Sequence, residues 1–188
     1  EEGIVPYCPK CQQYRFPMYN VAVSMIVVDE ETGYMTLYGS GIVTNYLFKK
    51  GRLAFDFESI NLTGEDWIEF NMWPNSGNTN FHLHFYANKE SNFTCGGSGL
   101  NWTQKTFTWT SEQTNVVKKI EFLVVNKEEG SNALVLKLII DGVEVAVLDN
   151  NITDPYATEP GAPVYFRMHT TNKASNFTVK SITWEPVE

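Results

Sequence analysis

From Asn20 onward the chain is a succession of short runs in which apolar and polar residues alternate. VAVSMIVV, YMTLYGSG, GRLAFDFESI, WIEFNMW, NFHLHFYA, KTFTWT, KKIEFLVV, ALVLKLII, VEVAVL, VYFRMHT and NFTVKSITW are rich in Val, Ile, Phe, Tyr, Trp and Thr. Such residues suit a pleated, half-buried surface. Glu-Thr-Gly, Lys-Gly, Asn-Ser-Gly-Asn, Glu-Glu-Gly-Ser-Asn and Asp-Gly punctuate the runs. No segment sustains a helical period. The pattern predicts an all-β fold, a β-sandwich or barrel. Residues 1–19, with three prolines, a Cys-Pro-Lys-Cys and no period, read as an extension or linker. Residues 20–188 then form one β-sandwich domain.

Strand residues alternate between faces, so each run splits into a core set and an outer set. Ile68, Phe70 and Met72 form one core set, leaving Trp67, Glu69, Asn71 and Trp73 outside. Phe81, Leu83 and Phe85 form another, leaving Asn80, His82, His84 and Tyr86 outside. Val164, Phe166 and Met168 leave Tyr165, Arg167 and His169 outside; Leu53, Phe55 and Phe57 leave Arg52, Asp56 and Glu58 outside. All three histidines of the chain thus point away from the core. With a turn at 75–78, the hairpin of residues 67–86 sets Trp67 against Tyr86, Glu69 against His84, Asn71 against His82 and Trp73 against Asn80. A slip of two residues would keep every outer residue outside; only a slip of one would invert the set, and that would bury His and Glu. Glu121, Lys137, Glu144, Thr106, Thr108 and Lys180 are expected on the outer face of the second sheet, as an ordinary solvated surface.

The passage LIIDGVEVAVL sharpens the fold. Asp141-Gly142 between two hydrophobic runs is a hairpin signal, because both central positions of the turn take positive φ. With the closing pair VYFRMHT and NFTVKSITW, this segment resembles the concanavalin A-like jelly roll, which implies a two-sheet antiparallel β-sandwich. The resemblance covers roughly residues 20 to 186. Carbohydrate-binding modules, laminin G-like domains, glycanases and polysaccharide lyases share that architecture, so the resemblance implies glycan recognition by analogy.

Composition narrows the partners. There are 14 Lys+Arg against 22 Asp+Glu, a formal charge of −8, and no basic run. That balance repels nucleic acid and anionic lipid. No apolar stretch reaches the roughly 20 residues that span a bilayer. Charged residues make up only 19% and aromatics 14%, so Asn, Thr, Ser and Gly must build the surface, as in extracellular β-proteins. Triplets beginning at Asn61, Asn92, Asn101, Asn151 and Asn176 fit N-glycosylation acceptors. Together these predict an extracellular or cell-surface location, with any secretion signal outside this stretch, and a monomeric module of a larger protein. Cys8, Cys11 and Cys95 are the three cysteines. They supply half of a zinc knuckle and no second CxxC, so a bridge within Cys8–Cys11, or from one of them to Cys95, is the expected chemistry. No cofactor is expected, except that Asp149-Asn150-Asn151-Ile-Thr-Asp154 and Asp29-Glu30-Glu31 offer oxygen ligands of the kind a structural calcium takes.

The outer residues of the 67–86 hairpin carry the functional expectation. A sugar has apolar C–H faces and a hydroxyl rim, so its site pairs a flat aromatic ring with amide, carboxylate, guanidinium or imidazole groups. Trp67, Trp73 and Tyr86, with Glu69, Asn71, Asn80, His82, His84, Tyr165, Arg167 and His169, supply both parts. The expected function is non-catalytic binding of a polysaccharide. Three alternatives stand beside it. A covering loop or the N-terminal extension would hide this face, and a laminin G-like domain would use it to bind protein. An enzyme would use Glu69 beside His84 as an acid/base couple, or Asp56 and Glu58 as paired carboxylates. Glucanases similar to laminarinases carry an acid-rich strand, where this chain has Asn78, Asn80 and His82. Alginate lyases are similar in the order of an Arg strand, a His strand and a Tyr-Phe-Lys strand, here Arg52, His82/His84 and Tyr165-Phe166-Arg167. That resemblance would give Arg167, His84 and Tyr165 the lyase roles, but the Gln, the Arg-x-Glu and the final Tyr of the lyase motifs are missing.

Overall fold

The computed structural model describes residues 7–8, 13–14, 26–38, 41–46, 50–74, 80–97, 100–131, 133–153, 164–170 and 174–187. Two antiparallel sheets face each other. The first has six strands in the order β10 (Leu100–Trp109), β9 (Lys89–Gly97), β8 (Asn80–Tyr86), β7 (Trp67–Pro74), β14 (Val164–Thr170) and β5 (Gly41–Tyr46). The second has seven: β13 (Val143–Thr153), β12 (Ala133–Ile140), β11 (Lys119–Asn126), β6 (Gly51–Asn61), β15 (Asn176–Pro186), β4 (Met35–Tyr38) and β3 (Ile26–Val28). β1 (Tyr7–Cys8) and β2 (Gln13–Tyr14) pair separately, so the segment read as lacking a period holds a short ladder. No helix among the described residues is long and apolar enough to cross a membrane.

The core lies between the sheets and follows the two-residue period. Along β12 the burial alternates at every position of ALVLKLII. Ile68, Phe70, Leu83 and Phe85 of the first sheet are fully buried, as are Phe55 and Phe57 of the second, with Leu53 nearly so. A cluster of phenylalanines joins the layers. Phe70 lies 5.2 Å from Phe55 and 5.5 Å from Phe122, ring centre to ring centre, and Phe93 lies 6.0 Å from Phe122.

The Asp-Gly turn forms as expected, with φ of 47° at Asp141 and 79° at Gly142. Asp141 also ties the turn to β11: its Oδ1 accepts from the backbone N–H of Lys118 at 2.9 Å and of Lys119 at 2.8 Å. A Cβ on Gly142 would meet nothing within 4 Å, so its substitution tests backbone strain alone. Gly142→Ala is expected to cost about 1–2 kcal/mol, the penalty of a left-handed alanine. Urea unfolding checks this, and a loss under about 0.3 kcal/mol would contradict it.

Besides the β1–β2 ladder, two strands of the six-stranded sheet and a helix escape the sequence pattern. β5 and β9 lie in GIVTNY and KESNFTCGG, runs that Gly, Asn and Ser make look like loops. α1 (Ser111–Thr114) is one turn long, too short for a period. Its signal was nonetheless present: Thr110-x-x-Gln113 forms a capping box, with Thr110 N–H donating to Gln113 Oε1 at 2.9 Å.

Candidate functional site

The hairpin of β7 and β8 sits centrally in the six-stranded sheet. Its ladder runs without interruption from Trp67–Tyr86 through Glu69–His84 and Asn71–His82 to Met72–Phe81, the expected register. The residues of the turn, 75–79, lie outside the described residues, and Trp73–Asn80 is the next position along the ladder. Local bonds pin the near end. Asp66 Oδ1 accepts from the Trp67 N–H at 2.9 Å, the Asp66 carbonyl accepts from the Ala87 N–H at 3.1 Å, and Ser91 Oγ accepts from the Tyr86 N–H at 2.9 Å. Asn88, at φ 58°, makes the turn into β9 and bonds both Gly64 and Ser111.

The neighbouring ladders extend these pairs into rows across the sheet. One row is Gly41, His169, Glu69, His84, Asn92 and Thr106; the next is Val43, Arg167, Asn71, His82, Thr94 and Gln104. Tyr165 pairs with Trp73 in the row beyond. Thus β14 brings the backbone of His169 opposite Glu69 and that of Arg167 opposite Asn71. All three histidines of the chain occupy one row or its neighbour.

The side chains of the central rows form a continuous group. Trp67 and Tyr86 pack with ring centres 5.0 Å apart and planes tilted 33°. Trp67 lies 6.4 Å and Tyr86 6.3 Å from the His84 ring. His82 and His84 stack at 4.6 Å and 27°. Glu69 Oε1 lies 3.8 Å from His84 Nε2, with the side chains 18% and 29% exposed, so solvent reaches the pair from one side. Lys89 Nζ sits 5.2 Å from the centre of the Tyr86 ring, a cation–π contact.

Electrostatics follow from this packing. Burial, and then the charge of His84, push His82 below the ordinary histidine value, against the opposing pull of Glu69 and a hydrogen bond to Asn92. Burial and then Glu69 push the Tyr86 phenol above its usual value, which keeps its O–H as a donor at neutral pH. The Trp67 Nε1–H and the Thr94 hydroxyl are buried without a hydrogen-bond partner among the described residues. Among those residues, no three His, Cys, Asp or Glu converge as metal ligands.

No family model matches the chain, and no curated protein matches it. Solved structures do. A legume lectin-like domain from Entamoeba histolytica superposes with a TM-score of 0.57 at 11% identity, covering 87% of each chain. A Bacillus licheniformis β-glucanase gives 0.58 at 8% identity over 97% of each chain. LamAcat from Zobellia galactanivorans gives 0.58 at 10% identity, over 96% of this chain and 88% of the other.

The fold is the concanavalin A-like jelly roll.

The two sheets of this jelly roll correct several expectations. Arg52, Asp56 and Glu58 belong to β6 of the seven-stranded sheet, so they share no face with His84 or Tyr86. Asp56 instead accepts a bond from Ser181 at 3.0 Å, and Glu58 stands 3.7 Å from Lys180. The Asp56–Glu58 carboxylate pair and the Arg52 strand of the lyase comparison are therefore apart from the 67–86 hairpin. Thr106 and Thr108 lie on β10, in the same sheet as the hairpin and not in the second one. Glu121 is only 5% exposed and is held by Arg52 at 2.9 Å, not solvated. Cys95 is a free thiol buried in the core, which corrects the bridge expected to it, and burial pushes its pKa up to about 12; Cys11, and with it the expected Cys8–Cys11 bridge, lies outside the described residues. Two of the carboxylates considered for calcium, Asp29 and Asp149, have local work. Asp29 Oδ1 accepts from the N–H groups of Glu31 and Thr32 and from the Thr32 hydroxyl, and Asp149 pairs with Lys127 at 2.7 Å. Asp154 lies outside the described residues.

Asn92 and Thr94 are the site residues that sequence reasoning missed. Ser91, Phe93 and Cys95 are buried on the opposite set of β9 positions, so the alternation was present in SNFTC.

Proposed function

We propose that the six-stranded sheet binds a carbohydrate on the face that carries Trp67, Glu69, His82, His84, Tyr86, Asn92 and Thr94, as a non-catalytic module working outside the cell. The observation that carries this reading is the paired Trp67–Tyr86 aromatic corner beside the partly exposed Glu69–His84 couple. An aromatic surface takes the C–H face of a sugar, and the imidazole, carboxylate and phenol meet its hydroxyls. Asn71, Arg167 and His169 extend the same rows, and Trp73, Asn80 and Tyr165 carry the proposed face one row further. The likeness to a lectin-like domain and to glucanases, all on one fold, supports the ligand class.

Hydrolysis is the second reading, favoured by the Glu69–His84 couple and the glucanase neighbours. Two-carboxylate hydrolysis places its acids about 5–9.5 Å apart. Within the two central rows, Glu69 is the one carboxylate, which supports binding over cleavage.

Native affinity electrophoresis through gels holding neutral and uronate-bearing polysaccharides tests both readings. Retardation by one polymer class, reduced in Tyr86→Ala, is the expected result, with no new reducing ends released. Release of reducing ends that stops in Glu69→Gln would replace the binding reading with the hydrolytic one. No retardation in any gel would overturn carbohydrate binding.

A further inference from the structure

We propose that the stacked His82–His84 pair is an acid-operated release for the ligand on this face, an inference that rests on the carbohydrate-binding reading. The two rings lie 4.6 Å apart and nearly parallel. Histidine is the side chain that takes up a proton between neutral and mildly acidic pH. With both rings protonated, two positive charges face each other at that separation in a partly buried site, where water screens them weakly. Glu69, 3.8 Å from His84, offers one compensating charge for two.

Among the described residues, the two rows of the stacked pair hold no carboxylate besides Glu69. On β9 the adjacent positions are Asn92 and Thr94, and on β10 Thr106 and Gln104, none of which titrates in this range. Glu90 lies one face-repeat beyond Asn92, away from His82. On β7 Asn71 stands opposite His82, and on β14 the same two rows hold Arg167 and His169, both cationic residue types at acidic pH. Beyond His84, Tyr86 stays neutral and carries Lys89 above its ring.

The direction of proton linkage agrees. Burial and His84 hold His82 below the ordinary histidine value, so the closed face binds fewer protons than an open one. Its stability is therefore complete above the ordinary histidine value and is lost as pH falls through the lowered one. Opening of the stack separates His82 from His84, which Glu69 holds, and so breaks up the polar half of the site.

The test uses the polysaccharide that retards the protein. Its Kd is measured calorimetrically at pH 7.5, 6.5, 5.5 and 4.5, while the imidazole C–H signals of the ligand-free protein are titrated by NMR. Wild type is expected to lose at least tenfold in affinity between pH 7.5 and 4.5. In His82→Gln, whatever its affinity at pH 7.5, that ratio is expected to shrink below threefold. In His84→Gln the His82 midpoint is expected to move upward, because a repelling charge has gone. A constant Kd in wild type, an undiminished ratio in His82→Gln, or an unmoved His82 midpoint would each overturn the proposal. Should His82→Gln fail to fold, Asn92→Ala replaces it. Loss of a bond that favours protonated His82 is expected to shift release to lower pH, and an unshifted release would count against the device. If no polysaccharide binds at any pH, the carbohydrate reading fails, and the proposed release fails with it. The His82 titration then decides separately whether the stacked pair is a coupled acid sensor.

Discussion

Replacing Phe122 by alanine is expected to lower unfolding free energy by about 3–5 kcal/mol, the usual range for a fully buried Phe. Phe122 is 1% exposed and sits where the two sheets meet. It contacts Phe55 at 6.0 Å with planes at 81°, Phe70 at 5.5 Å and Phe93 at 6.0 Å. Edge-to-face pairs add roughly 0.5–1.5 kcal/mol each beyond the buried area. Because the neighbours belong to both layers, no single side chain can relax to fill the space. Denaturant unfolding measures the loss. Val143→Ala serves as the comparison, since Val143 is 65% exposed and its loss should stay within about 0.5 kcal/mol. A Phe122→Ala loss below about 1.5 kcal/mol would mean that the phenylalanine cluster is not the junction between the layers.

Trp67→Ala is expected to weaken carbohydrate binding by about tenfold to a hundredfold, which corresponds to roughly 1.4–2.8 kcal/mol. The argument rests on position as well as size. Trp67 ends the β7–β8 ladder opposite Tyr86 and touches the rings of both Tyr86 and His84. Its removal takes away the larger half of the aromatic corner and the wall against which His84 packs. Its indole N–H has no hydrogen-bond partner among the described residues, so the substitution breaks no such bond within them. Calorimetry with the polymer identified in the gels gives the affinity change. Near-ultraviolet circular dichroism, compared with that of Trp67→Phe, establishes that the fold is intact. Wild-type affinity in a folded Trp67→Ala protein would remove the aromatic corner from the site.

The two predictions draw on different parts of the sequence. Two core partners of Phe122 follow from alternation, since IEFLVV, LAFDF and IEF each place a Phe among inward positions, whereas Phe93 lies on β9, whose run looks like a loop. The Trp67–Tyr86 pairing follows from the same alternation combined with the length of the turn. The outer face is legible in this hairpin because a one-residue slip would bury Glu69, His82 and His84, and the turn length then selects the register. The Asp-Gly turn is legible for a local reason, since positive φ at two successive positions admits few residues.

What alternation cannot give is the identity of the sheet. An outer position on β6 and an outer position on β8 look the same in sequence, yet Asp56 and His84 lie on opposite sides of the sandwich. The same ambiguity assigned Thr106 and Thr108 to the wrong layer. Sheet membership depends on which distant strands share hydrogen bonds, as when β14 inserts between β7 and β5 and brings His169 and Arg167 into the rows of Glu69 and Asn71. Those partners are nearly a hundred residues away in the chain, and no local propensity encodes the choice. Nor does sequence show that Glu121 is buried against Arg52, or that Asn92 hydrogen-bonds to His82. The sequence by itself determined which side chains face inward, the β7–β8 register and the Asp-Gly turn, because each follows from sterics and burial within a few residues. Only the tertiary structure decided which outward residues share one face, because that depends on strand pairing over the whole chain.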